Sequence, residues 1–242
     1  MKIEEVIHET HRHIVFRLIK EASFDEWLAW LFDRPECEYG KHWSFDEDNS
    51  TPGWGLEDEQ MIQFVTRTYE DPGYWVRKFS KNQIADGLDY TWNPSFSNFG
   101  HLLKTESIPW DLRRSAIRSL IPLYEGCFKE LCEPLLSHLN EGSNNRLNGV
   151  CYMYWDVCPF YGQPEKPDNR EQDAECLDVM AATLKIDHDA CRESALHGLG
   201  HWQHAYPSQV RSIVEDGLRA GRRHIRPELL NYAADASEGA VQ

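Results

Sequence analysis

The chain has 242 residues, 41% of them hydrophobic and 12% aromatic, which excludes a disordered polymer and allows a core without disulfide staples. Its formal net charge of −15 argues against nucleic acid and anionic lipid as partners, because both call for a basic surface. The seven cysteines (37, 127, 132, 151, 158, 176 and 191) are an odd number with no C-x-x-C pair, which points to free thiols in a reducing compartment.

The opening MKIEEVIHETHRH lacks the apolar core of a signal peptide, and the apolar stretch from Leu147 to Trp155 is too short to span a bilayer. The expectation is a cytoplasmic protein. Residues 3–20 place Ile3, Val6, Ile7, Ile14, Leu18 and Ile19 near one helical stripe. Ser23 and Glu26 have capping-box spacing and open a short helix with Trp27, Trp30 and Leu31, which Pro35 closes. Residues 36–56 are acidic and rich in Gly, Pro, Ser and Asn, and so read as a loop. Glu57, Asp58 and Glu59 suit the positive start of a helix carrying Met61, Ile62, Val65 and Tyr69. Ser80 and Gln83 open a further helix that Asn93-Pro94 ends.

The second half has rhythm. Amphipathic segments fall near 111–121, 126–139, 145–158, 171–185, 189–204, 207–220 and 227–236, separated by Pro122, Asn140 to Asn144, Pro159 to Pro167, Pro207, Gly221 and Pro227. Arg222, Arg223, His224 and Arg226 sit where cations offset a helix dipole. No stretch combines period-two alternation with hairpin turn chemistry, so no strand is expected.

Three segments share one pattern: Arg113-x-x-Ala116-x-x-x-Leu120, Arg146-x-x-Gly149-x-x-x-Met153 and Arg192-x-x-Ala195-x-x-x-Leu199. A small residue in mid-face lets helix axes approach closely. The stretches Asp111 to Leu120 and Cys191 to Gly200 resemble the second helix of HEAT-type repeats over about residues 110–242. The resemblance implies an all-α protein: a short HEAT-like α-solenoid of antiparallel helix pairs over 109–242. An irregular N-terminal helical region, 1–108, would cap it and share its core.

Within 189–204, Glu193, His197, His201 and His204 fall on one stripe, opposite Ala195, Leu196, Leu199 and Trp202. By the resemblance this stripe faces a concave groove. Aligning the three patterned helices puts Arg114 and Arg118, then Trp155, then Glu193, His197, His201 and His204 along one groove column. Arg and Trp are favoured anchors of binding hot spots, although Trp155 is equally readable as core. The leading expectation is a non-catalytic protein-binding scaffold with no metal or other cofactor and a basic protein partner, one version being an immunity-type inhibitor of a cationic toxin.

The alternative is a metal-dependent enzyme holding zinc or iron on Glu193, His197, His201 and His204, since His pairs at i and i+4 can share one ion. Gly198 stands where a zincin's catalytic Glu would be. The His-Glu dipeptides of HEAT-type di-iron hydroxylases have one counterpart, His8-Glu9, far from the stripe. A third possibility is an aromatic pocket around Tyr152, Trp155 and Trp202. Gly198 and Gly200 make room either for a neighbouring helix or for a ligand.

Overall fold

The N-terminal segment is a β-hairpin. In the computed structural model, Lys2–Ile7 (β1) pairs antiparallel with Val15–Glu21 (β2), with Glu4 opposite Leu18 and Glu5 opposite Arg17. Gly53–Trp54 (β3) adds a short parallel strand beside β2. The expected helix over 3–20 is therefore corrected. Short apolar runs fit either period, and the β-branched Ile and Val suit a pleated surface better than a helix. The buried Ile19 points this sheet into the core.

The structure describes residues 1–7, 15–36, 42–45, 52–219 and 225–241. Cys37, the His8-Glu9 dipeptide, the loop acids Asp46, Glu47 and Asp48, and Arg222, Arg223 and His224 lie outside those residues. The rest is mostly helical. Both expected capping boxes form: Ser23 with Glu26 opens α1 (Phe24–Phe32), and Ser80 with Gln83 opens α4 (Lys81–Trp92). Between them lie α2 (Asp58–Glu70), with Asp58 and Glu59 in its first turn, and the short α3 (Pro72–Trp75). Trp27 fastens α1 to α2 by donating its indole N–H to Thr68 Oγ1 at 2.8 Å.

After α5 (Phe99–Leu102) comes a single long helical run. It comprises α6 (Trp110–Arg118), α7 (Leu120–Leu123), a π-turn (Tyr124–Phe128) and α8 (Lys129–Leu131). Pro122 does not end the helical run. It sits in the first turn of α7, where a missing N–H leaves no intrahelical bond unmade, and the chain absorbs its ring by a turn at Ser119. The remaining helices are α9 (Arg146–Val157), α10 (Arg170–Leu184), α11 (Asp189–Trp202), α12 (Pro207–Arg219) and α13 (Pro227–Glu238). Among the described residues no helix is long and apolar enough to cross a membrane.

The helices pack in two rows. One runs α2, α6–α7, α10, α12; the other runs α4, α9, α11, α13, with α10 against α11 and α12 against α13. The continuity across Pro122 decides which row each helix joins. Because one expected break is missing, α6 falls in the row opposite α9 and α11. The three patterned helices therefore do not line one column.

The six described cysteines are free and buried, as small apolar side chains packed in the core.

Candidate functional site

Gly198 sets the spacing between α9 and α11. A Cβ there would lie 2.7 Å from Cβ and Cγ of Trp155, so only glycine lets the two helices meet so closely. Gly200 likewise faces Val241. Both glycines serve packing. Gly149 does not: nothing lies within 4 Å of its missing side chain, against the expectation of a small residue for helix contact. It opens instead on a cleft of about 740 Å³ between α4 and α9, lined also by Asp86, Asp89, Asn93, Arg146 and Met153.

The close α9–α11 contact brings Asp156 of α9 beside the histidines of α11. Its Oδ1 is 3.2 Å from His201 Nε2, and His201 Nε2 is 3.2 Å from His197 Nε2. Ligand atoms of Asp156, His197 and His201 all lie within 4.8 Å of one another. Two ligands about 2.1 Å from a tetrahedral ion stand about 3.4 Å apart, so the two 3.2 Å separations to His201 Nε2 fit a shared metal. Asp156 and His201 are exposed, whereas His197 is buried at 2%. Burial, and then the neighbouring His201, push the His197 imidazole down to about 4. It is therefore neutral near pH 7, as a ligand must be.

Behind His197 lies a supporting layer. The Tyr232 hydroxyl of α13 is 2.7 Å from His197 Nδ1 and 3.2 Å from the Tyr152 hydroxyl, and burial raises its pKa far above the usual range. The Tyr232 ring stacks on His138 at 4.0 Å. A buried carboxylate must find donors. Glu193, wholly buried, accepts from Ser137 N and His138 N at 2.9 Å each and from His138 Nδ1 at 2.6 Å.

The expected column is thus redistributed. His197 and His201 converge; Glu193 turns inward to hold the 137–139 turn rather than facing a groove. His204 lies beyond the end of α11, exposed and beside Gly239 rather than with the other ligands. Trp155 and Trp202 are core, each 1% exposed, which closes the expected aromatic pocket. Arg114 and Arg118 lie in the other row, paired with Glu175 of α10 at 2.5 and 2.7 Å. Sequence reasoning missed Asp156, Tyr232 and His138. Asp156 carried one usable signal, being the carboxylate next to Trp155 on the helix aligned with α11.

Protein-family models give no match to this chain, and no curated protein or solved structure proves similar to it.

Proposed function

We propose that this chain is a metal-dependent protein of hydrolytic type, holding one divalent transition-metal ion on His197, His201 and Asp156. The observation that carries this reading is the convergence of two imidazoles and one carboxylate from two helices, with His197 neutral. Two imidazoles and a carboxylate suit zinc, and suit ferrous iron as well. Three protein ligands leave further positions for water, whose proton a bound metal makes acidic enough to lose near neutral pH. The finer architecture belongs to this proposal too: we read the two rows as a short HEAT-type stack of antiparallel helix pairs in a cytoplasmic protein.

Elemental analysis of purified protein tests the proposal. One equivalent of metal per chain is expected, lost in His201→Ala and Asp156→Asn and kept in His204→Ala. Wild-type protein that takes up no zinc, iron or cobalt would overturn it, as would a His201→Ala variant loaded like the wild type.

A second reading, the protein-binding scaffold for a basic partner, rests on the net charge of −15. Binding of a cationic protein that weakens steeply with salt and survives Asp156→Asn would favour it over the metal centre.

A further inference from the structure

We infer that Tyr152 and Tyr232 form a two-hydroxyl wire that sets which nitrogen of His197 carries its proton. Through that choice the wire controls the strength of the metal centre, so this second half rests on the reading above.

A neutral imidazole has one N–H and one lone pair. His197 Nε2 faces His201 and Asp156, while Nδ1 faces the Tyr232 hydroxyl at 2.7 Å. Only the tautomer with its proton on Nδ1 presents a lone pair to a metal at Nε2. That tautomer needs Tyr232 Oη to accept. The hydroxyl has a single proton and two polar neighbours, His197 Nδ1 and the Tyr152 hydroxyl at 3.2 Å. When the Tyr232 O–H donates to Tyr152, the Tyr232 oxygen accepts from Nδ1–H and Nε2 is free to ligate. When the O–H donates to Nδ1 instead, His197 must carry its own proton on Nε2 and is lost as a ligand. Tyr152, by accepting from Tyr232, thus favours the tautomer that can ligate.

The scaffold around the wire keeps it in register. The Tyr152 ring lies 4.3 Å from the His197 ring, tilted against it, and so holds its hydroxyl near Tyr232. Tyr232 is clamped by its stack on His138, and His138 is locked by Glu193 through one backbone and one ring N–H. Glu193, which the sequence offers as a ligand, acts on His197 through two intervening residues, His138 and Tyr232, as a positioning residue. Metal-binding histidines commonly depend on such a partner at the second nitrogen, and its removal costs about 10–100-fold in affinity.

The test uses the whole chain labelled with ¹⁵N. Long-range ¹H–¹⁵N spectra of the metal-free protein read the His197 tautomer, and competition with a chromophoric chelator reads zinc affinity. We expect the Nδ1–H form in the wild type. Tyr232→Phe removes the acceptor: zinc affinity falls about 10–100-fold and the Nε2–H form gains population. Tyr152→Phe leaves Tyr232 in place and changes both readouts in the same direction by less. Its side chain is only partly buried, so this variant carries the test should Tyr232→Phe fail to fold. A wild type in the Nε2–H form overturns the wire, and so does a Tyr152→Phe protein with unchanged tautomer and zinc affinity. Should wild-type protein bind no zinc while its tautomer still responds to Tyr152→Phe, the wire stands and the metal centre falls.

Discussion

Replacing Gly198 with alanine tests the contact on which the site geometry depends. The added methyl would lie 2.7 Å from Cβ and Cγ of Trp155 and 2.8 Å from Met180 Sδ. Trp155 cannot swing aside, because the clash is at the root of its side chain and the ring is buried at 1%. Overpacking a core in this way costs about 1–3 kcal/mol, and two contacts below 3.0 Å on one side chain place it near the upper figure. The better helix propensity of alanine offsets about 1 kcal/mol of that. A net loss of about 2 kcal/mol lowers the melting temperature by roughly 4–8 °C in a chain of this size. Gly149→Ala is the internal control. Its methyl meets nothing, so propensity alone acts and stability rises by up to about 1 kcal/mol. Paired thermal and urea unfolding measures both. A Gly198→Ala protein as stable as Gly149→Ala would refute the reasoning, since the two glycines would then differ only in name.

His197, held near 4, titrates below an unfolded imidazole at 6.5. Between these values the unfolded chain binds the extra proton. The histidine's contribution to metal-free stability is thus complete above about pH 6.5 and declines by up to about 3 kcal/mol as pH falls to 4. Asp86, pushed up to about 6 because burial outweighs the nearby Arg146, acts oppositely, its stabilisation fading as pH rises through 6. Urea unfolding of wild type and His197→Asn at pH 7 and at pH 4.5 isolates the histidine, and a pH-independent difference between them would contradict the assignment. Glu193→Ala strips the acceptor from two backbone amides and the His138 ring, so a loss of about 3 kcal/mol or more is expected, with a smaller loss in Glu193→Gln. Unfolding energies matching the wild type would show that this carboxylate does not organise the 137–139 turn. Arg114→Ala and Arg118→Ala each cost less than about 1 kcal/mol, because the other half-exposed arginine still pairs with Glu175; the double variant exceeds their sum. Strict additivity in a double-mutant cycle would argue that the three groups do not share one network.

Local rules in the sequence were enough for much of the helical half. The boxes Ser23–Glu26 and Ser80–Gln83 cap their helices as their spacing demands. The 3.6-residue period over 189–204 puts His197 and His201 on one edge of α11, one turn apart. Each of these features is decided within four residues, which is the range over which a helix connects its own side chains. The same short range misled at the N-terminus, where a few Ile and Val residues satisfy a helical stripe and a strand equally. Only pairing with Val15–Glu21 and Gly53–Trp54 selects the strand.

What tertiary structure alone decided is the partnership across helices. Whether Pro122 breaks the chain determines whether α6 lies beside α9 or in the opposite row, and a count of helices cannot show that the ring fits a first turn. Asp156 meets His201 because Gly198 admits Trp155 between the two helices, a contact between residues 43 positions apart. Glu193 lies on the histidine stripe by periodicity. Yet it turns to the amides of Ser137 and His138, because a carboxylate sealed from water goes wherever donors are. Side-chain order along one helix is a property of the backbone and can be read in advance; which charge ends opposite which ligand follows from how helices seat against one another.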